Sequence, residues 1–409
     1  MKLKQNVLFG NIAALAILQL ATYITPLLIV PYLTRVLGPG GYGTVAICLS
    51  IIQMSLILTD FGFNLSSTEY IARNCQSKDK INKHIGAVFQ IKILLIFLCV
   101  IFLYFLVNDQ LQQFKIEFFF YSCIAIIGQT FQSLWFFQGV EKMKRITLFL
   151  TISKFSYVIL TFVIVKKPEQ GRFVILAYAL SQVIGALLSQ YYMRKEGYKY
   201  TPANLSSMLG VLRTSALFFW SRLAVSTYTT ASTLVVGAAG HVQAGYYAAS
   251  EQLYKAGQNI TTPVSQALYP YMTRAKNWAL FFKMMSILTV VMITASLTAI
   301  WLSQWLIALI FGPEYIVSQN VFIVFMLALI VTFVSTNFGY PVFSALGKVK
   351  VANYTVIFGA LTHVVILGVL FCLGEISAYN VVRAVLFTEI VILILRMFFF
   401  VKLYRREVK

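Results

Sequence analysis

The sequence is poor in charge and lacks the side-chain groupings that soluble enzymes use. Only 11% of its 409 residues are Asp, Glu, Lys or Arg, against about a quarter in a typical soluble domain. It contains no DxD motif, no GxxxxGK[ST] loop and no CxxC pair, and its His residues are isolated. These absences speak against a nucleotide cradle, a zinc site or a local acid–base pair. We therefore predict no catalytic residues, no metal and no cofactor.

Apolar residues, by contrast, make up 59% of the chain and fall in long runs. A helix needs about 20 such residues to cross the hydrocarbon layer of a bilayer, and about twelve runs reach that length. The class predicted is an all-α membrane protein with about twelve transmembrane helices. The runs cover residues 8–34, 43–64, 84–107, 116–138, 146–166, 172–193, 216–236, 244–271, 281–311, 319–341, 352–373 and 379–402.

The formal net charge of +20 is spread between the runs rather than clustered. Clustering on one face would have pointed to nucleic acid, so no nucleic-acid partner is predicted. If residues 1–6 are cytoplasmic, most Lys and Arg residues fall in cytoplasmic segments, as the positive-inside rule requires. The sequence thus predicts a multi-pass protein with both termini in the cytoplasm.

The runs divide into two groups of six. A polar stretch with Gly, Pro and basic residues separates them, which predicts a first lobe at residues 1–193, a cytoplasmic linker at 194–215 and a second lobe at 216–409. Gly41 and Tyr42 recur as Gly245 and Tyr246, about half a chain later. An even number of spans per repeat keeps both lobes in one orientation, as in transporters with a substrate path between repeats.

Three cations lie at similar depth in the predicted spans. Lys92, Lys154 and Arg222 each follow the cytoplasmic start of an outward-running helix by about two turns, or roughly 9 to 12 Å. Ionisable side chains at such depth are costly and usually face an internal cavity or a partner. The alternative is that each long side chain extends back to the cytoplasmic headgroups.

Other charged residues in the spans favour ion pairs or coupling sites. Glu251 precedes Lys255 by four residues, the favoured order for a pair on one helix. Asp60 ends the second run, where it either binds a coupling cation or holds a neighbouring Arg. Glu389 and Arg396 share one helix face about 10 Å apart, too far for a direct bond.

Several strings resemble one family. PYLTRVLGPGGYG at residues 31–43, followed by LTDFGFN at 58–64, is similar to the start of bacterial polysaccharide repeat-unit flippases, the O-antigen translocases called Wzx. These belong to the multidrug, oligosaccharidyl-lipid and polysaccharide exporter superfamily. Further similar strings are FFQG at 136–139, AGYY at 244–247 and PVSQALYP at 263–270. Arg35 and Asp60 lie inside the matching strings.

The resemblance implies two lobes similar to those of multidrug and toxin extrusion transporters, in the inner membrane of a bacterium. It further implies movement of an undecaprenyl-diphosphate-linked oligosaccharide, such as an O-antigen repeat unit, from the cytoplasmic to the periplasmic leaflet. Partners would be membrane lipids and the glycan polymerase and chain-length proteins of the same pathway. On depth and spacing alone, we predict that Lys92, Lys154 and Arg222 recruit the diphosphate and that Lys255 holds it near the middle.

Two alternatives remain open from the sequence. One is a cation-coupled drug exporter of the same fold, which the absence of a carboxylate from the first run disfavours. The other is a membrane enzyme of the same glycan pathway, either a polymerase or a glycosyltransferase. Short outer loops and the absence of a DxD motif disfavour the enzyme.

Overall fold

The computed structural model describes the backbone of residues 2–110 and 115–407. Side chains are described in these ranges except at residues 2–15, 106–110, 115, 221, 224–225, 227–229 and 406–407. Every regular element in the described ranges is an α-helix or a short 3₁₀ turn. The predicted all-α class is therefore confirmed.

Contacts divide the chain into two compact units. Unit 1 comprises Met1–Leu37 and Thr44–Ser226, and unit 2 comprises Gly38–Gly43 and Thr227–Lys409. The first eight helices are α1 (Lys2–Asp60), α2 (Phe63–Arg73), α3 (Lys78–Gln110), α4 (Lys115–Thr130), α5 (Leu134–Gly139), α6 (Met143–Ile164), α7 (Gly171–Lys195) and α8 (Leu205–Thr229). The other helices are α9 (Ala231–Ala238), α10 (His241–Ala275), α11 (Trp278–Trp301), α12 (Ser303–Phe311), α13 (Gln319–Asn337), α14 (Tyr340–Ala345), α15 (Val349–Cys372) and α16 (Ala378–Glu407).

Within the described residues, eight helical segments are long and apolar enough to cross a membrane. The first, Ala16–Arg73, is long enough for two crossings and holds the first two predicted runs. The predicted runs at 116–138, 216–236 and 244–271 fall outside these eight segments, on α4 with α5, α8 with α9, and α10. The break at residues 131–133 shortens α4, and polar residues lower the hydropathy of α10.

Large apolar side chains project outward from several of these helices. Phe97 on α3 is 67% exposed, Trp301 on α11 is 82% exposed and Phe371 on α15 is 68% exposed. Soluble proteins rarely leave such extended apolar surface in contact with water. These faces therefore suit contact with lipid acyl chains, and the chain is a multi-pass membrane protein.

Each unit has its own aromatic core. In unit 1, Trp135, Phe136 and Phe137 of α5 pack with Phe149 of α6 and are fully buried. In unit 2, Phe281 of α11 packs in one cluster with Phe400 of α16. Burial of these rings, at roughly 25 cal/mol per Å² of apolar surface, holds short helices such as α5 against their neighbours.

Glycines permit one very close backbone contact in unit 2. A Cβ atom on Gly43 would lie 1.7 Å from the His241 carbonyl oxygen, and one on Gly245 would lie 2.1 Å from the Pro39 carbonyl oxygen. The break in α1 falls just before, at Gly38, whose φ of 67° favours glycine. Two of the strings that carry the family resemblance thus meet at this contact.

The predicted linker at 194–215 is structured. Residues 205–215 belong to α8, whereas the non-helical part before Leu205 lies along α3. Asn82 of α3 accepts a hydrogen bond from the Lys199 backbone amide at 2.9 Å, and Gln90 of α3 accepts one from the Ala203 amide at 2.9 Å. The lobe boundaries at 193 and 216 stay a prediction.

Candidate functional site

Four of the predicted site residues line one cavity in unit 1. The first cavity has a volume of about 360 Å³ and receives Asp60 from α1, Lys92 from α3, Lys154 from α6 and Arg222 from α8. Four helices widely separated in sequence thus bring three cations and one carboxylate together. Counted formally, the cations exceed the carboxylate by two charges.

Asp60 and Arg222 form an ion pair in the first cavity. Nη1 of Arg222 donates a hydrogen bond to Oδ2 of Asp60 at 2.6 Å. The Asp60 side chain is 13% exposed, whereas that of Arg222 is 48% exposed. The guanidinium group therefore keeps an accessible side from which further hydrogen bonds to an anion can form.

Lys92 supports a break between two helices. Its buried ammonium group donates a hydrogen bond to the Thr130 carbonyl oxygen at 2.7 Å, where α4 ends. The same group lies 5.9 Å from the centroid of the Trp135 ring on α5. A cation at this position satisfies a terminal carbonyl and complements the negative end of the helix dipole.

Side chains of α7 satisfy other backbone groups of the same break. Gln190 donates to the Phe131 carbonyl oxygen at 2.6 Å, and the Ser133 amide donates to the Ser189 hydroxyl oxygen at 2.9 Å. Irregular backbone at membrane depth needs such partners, and it occurs mostly where it lines a cavity. The neighbouring Gln132 lines the first cavity.

Replacement of Lys92 by Met is expected to destabilise the protein by about 1–3 kcal/mol, because the buried Thr130 carbonyl loses its hydrogen-bond partner. Thermal melting of the purified protein in detergent measures this as a lower melting temperature. Lys154→Met is the matched control, since it removes a cation from the same cavity without removing a hydrogen bond. Equal melting temperatures for wild type and Lys92→Met would contradict this role of Lys92.

Lys154 is the cation of the first cavity that has no protein partner in the described structure. Its side chain is half-buried on α6, and no described residue forms a hydrogen bond or ion pair with its ammonium group. An unpaired ammonium group in a cavity has three donors to offer to an anion. Of the predicted cations, Lys154 is thus the one whose charge the described protein balances least.

Lys255 lies in a different cavity from the other three predicted cations. The second cavity, in unit 2, has a volume of about 220 Å³ and is lined by Glu251, Lys255, Glu389 and Arg396. Nζ of Lys255 is 2.8 Å from Oε2 of Glu251, one helical turn earlier on α10. Two cations and two carboxylates leave this lining without a formal excess charge.

Arg396 connects three helices of unit 2. From α16, it donates hydrogen bonds to the Ser335 carbonyl oxygen on α13 at 2.6 Å and to the Thr355 hydroxyl on α15 at 3.2 Å. Between them, the two helices supply buried acceptors for the guanidinium group. Glu389 lies on the same helix as Arg396. Thr332 also lines the second cavity, and its hydroxyl is 2.9 Å from the Tyr254 hydroxyl.

Arg35 lines neither of the two cavities. Its side chain is exposed on α1. The structure therefore does not place this residue of the family string in the lining of either cavity. Its role stays unassigned.

Sequence reasoning missed Tyr178 on α7, which connects two glutamines of the first cavity. Gln53 of α1 donates to the Tyr178 hydroxyl at 3.2 Å, and that hydroxyl donates to Oε1 of Gln129 on α4 at 2.8 Å. The available signal was the polar series Tyr178, Ser181 and Gln182 within an otherwise apolar helix. Such spacing places polar groups on one helix face.

The family model described as polysaccharide biosynthesis protein matches residues 8–276, about two thirds of the chain. The chain belongs to this family. The match includes all four charged residues of the first cavity, and it confirms the family resemblance drawn from the sequence strings.

Two curated relatives are both named "Putative O-antigen transporter". The one from Shigella dysenteriae is 28% identical over 400 residues, which cover 94% of this chain and 98% of the relative. The one from Escherichia coli strain K12 is 29% identical over 327 residues, which cover 78% of each protein. The similarity thus extends through both contact units.

Two solved structures, a flippase and a multidrug resistance transporter, are similar to this chain in fold. The lipid II flippase MurJ in an inward closed conformation has a TM-score of 0.70 at 15% identity, with 95% of this chain and 87% of that chain covered. An inward-facing multidrug resistance transporter of the MATE family has a TM-score of 0.69 at 16% identity, with 95% and 99% covered. The comparison confirms the predicted similarity to multidrug and toxin extrusion transporters at the level of the fold.

Proposed function

We propose that this protein is a flippase for an undecaprenyl-diphosphate-linked oligosaccharide. It is a transporter, not an enzyme, and moves an O-antigen or similar repeat unit from the cytoplasmic to the periplasmic leaflet by alternating access. It lies in the inner membrane of a bacterium with both termini in the cytoplasm. The family match, the transporter names of the relatives and the fold of lipid and drug exporters support this proposal.

The observation that carries the proposal is the cationic lining of the first cavity. A diphosphate carries negative charge that must lose part of its water as it crosses the bilayer, which is costly without partners. The side chains of Lys154 and Arg222 are both accessible in the cavity and supply charge-assisted donors to phosphate oxygens. Asp60 keeps Arg222 in position while leaving the cavity with an excess of positive charge.

Lys255 contributes less to this proposal than the cations of the first cavity. Its ammonium group forms an ion pair with the Glu251 carboxylate, which balances its charge. The absence of an excess charge in the second cavity also removes the electrostatic reason for an anion to enter it. The three cations of unit 1 therefore carry the substrate assignment.

The test is deletion of the gene in a strain that makes the glycan. We expect single lipid-linked repeat units to accumulate in the cytoplasmic leaflet, where a membrane-impermeant sugar oxidant reaches them in inverted vesicles but not in spheroplasts. Surface glycan should disappear and return with the wild-type gene.

Two other outcomes would contradict the proposal. Repeat units that accumulate in the periplasmic leaflet without being polymerised would indicate a polymerase. Unchanged surface glycan together with increased drug sensitivity would indicate a drug exporter.

Partners in glycan assembly, namely the polymerase and chain-length proteins, would act on the product after it reaches the periplasmic leaflet.

A further inference from the structure

Polar uncharged side chains also line the first cavity. The amide network, defined as Gln53, Tyr178 and Gln129, joins α1, α7 and α4 through two hydrogen bonds. Gln53 and Gln129 line the cavity directly, and Tyr178 connects them. The Tyr178 ring packs edge-on against the Tyr157 ring at a centroid distance of 5.3 Å, which fixes its position.

The direction of the two hydrogen bonds determines what the glutamines offer to a ligand. The Tyr178 hydroxyl accepts from the amide nitrogen of Gln53 and donates to the amide oxygen of Gln129. The carbonyl oxygen of Gln53 then remains available to accept a hydrogen bond from a ligand, and the NH₂ group of Gln129 remains available to donate one. A sugar hydroxyl both donates and accepts, and an acetamido group carries one donor and one acceptor.

The position of the network along α1 matches the layout of a glycosyl diphosphate. Gln53 and Asp60 lie seven residues apart, which places them on one helix face with a separation of about 10 Å. That distance is comparable with the span from the outer phosphate of a glycosyl diphosphate to the far side of its sugar ring. Asp60, with its ion-pair partner Arg222, therefore lies about two helical turns along α1 from the Gln53 end of the amide network.

The cavity volume limits how much of the ligand it holds. Its 360 Å³ is near the lower end of the range of about 300–1,000 Å³ for ligand pockets. A diphosphate with one sugar suits this size, whereas a complete oligosaccharide does not. Recognition inside the cavity would then depend on the sugar nearest the diphosphate.

We infer that the amide network is a sugar-binding subsite for the pyranose ring joined to the diphosphate, which it recognises through hydroxyl or acetamido groups. This inference rests on the proposed function. Gln53 and Gln129 contact the sugar, and Tyr178 is a positioning residue that holds both amides. Specificity arises because a ligand without these groups leaves the carbonyl oxygen of Gln53 and the NH₂ group of Gln129 without a ligand partner.

The test compares two probes on the purified full-length protein in lipid nanodiscs. The probes are undecaprenyl diphosphate and undecaprenyl diphosphate carrying one N-acetylglucosamine. We expect the wild type to bind the glycosylated probe about tenfold more tightly, the gain from one or two neutral hydrogen bonds. Tyr178→Phe and Gln129→Leu should reduce this ratio of Kd values to about two or less while leaving the Kd for undecaprenyl diphosphate unchanged.

Tyr32→Phe is the matched control. The Tyr32 hydroxyl donates to the Val165 carbonyl oxygen in the same unit but outside the cavity, so its loss should leave the ratio unchanged. An unaltered ratio in both Tyr178→Phe and Gln129→Leu would overturn the inference and leave the network with only a helix-packing role. A variant that still binds undecaprenyl diphosphate is folded, so a reduced ratio in that variant reports a loss of sugar recognition.

The wild-type result separates the inference from the function on which it rests. Equal affinity for the two probes would overturn the sugar subsite alone and leave the diphosphate proposal standing. Failure of the wild type to bind either probe would overturn both.

Discussion

Replacement of Lys154 by Glu is expected to abolish surface glycan while the protein remains in the membrane at its normal level. Lys154 has no partner among the described residues, so its loss breaks no hydrogen bond or ion pair of the described structure. Reversal of its charge removes the excess positive charge of the first cavity. A diphosphate that enters would meet a carboxylate where an ammonium group stood, and like charges at short range repel strongly in a medium of low dielectric constant.

Graded substitutions at the same position separate charge from shape. Lys154→Ala removes one charge-assisted hydrogen bond, worth about 1.5–3 kcal/mol, and should weaken diphosphate binding by about 10- to 150-fold. Lys154→Arg keeps the charge and should retain most of the export. Gel electrophoresis of surface glycan at matched protein levels gives the readout.

Lys166→Glu is the control for Lys154→Glu. Lys166 is exposed just after the end of the same helix, α6, and does not line the cavity. The Lys166→Glu substitution makes the same change in net charge without changing the cavity, so glycan export should persist. Wild-type glycan in Lys154→Glu cells would exclude Lys154 from substrate binding.

Gly43→Ala is expected to have the largest effect on folding and to remove the protein from the membrane. Its Cβ atom would lie 1.7 Å from the His241 carbonyl oxygen, 2.7 Å from the His241 carbonyl carbon and 2.7 Å from the Gly245 nitrogen. All three atoms belong to the backbone, so no rotamer change relieves the overlap. Overpacking that displaces backbone costs at least about 1–3 kcal/mol, a large part of the 5–15 kcal/mol that stabilises a typical protein.

The glycine-rich string supplies its own control. A Cβ atom on Gly40 would meet only the Val242 Cγ2 atom, at the ordinary contact distance of 3.6 Å. Gly40→Ala should therefore accumulate in membranes to wild-type levels and export glycan. An immunoblot of membrane fractions distinguishes the two variants, and equal abundance of Gly43→Ala and wild type would contradict the close backbone contact.

Much of the fold was predictable from the hydrophobic pattern, because apolar runs of about 20 residues form membrane-spanning helices. The positions of the helix breaks were not predictable from this pattern. Residues 131–133 separate α4 from α5 within one predicted apolar run. The side chains that donate hydrogen bonds to the backbone carbonyls at this break, Lys92 and Gln190, are distant in sequence. Periodicity describes one helix at a time and contains no information on such partners.

The candidate site was predictable in the same partial way. Depth along a helix placed Lys92, Lys154 and Arg222 at one level, and the structure places all three in one cavity. The role predicted for Lys255, to hold the diphosphate near the middle, stays a prediction, and this residue lines a different cavity with Glu251 beside it. Depth fixes height in the bilayer but does not determine which neighbours a side chain meets.

The hydrogen bond from Lys92 to Thr130 also constrains how unit 1 moves. If α3 slid past α4 by a helical turn, the buried Thr130 carbonyl would lose its donor, at a cost of about 1–3 kcal/mol. α7 is tied to the same three-residue gap by Gln190 and Ser189. Helices α3, α4 and α7 should consequently move together as one rigid body at every stage of the transport cycle.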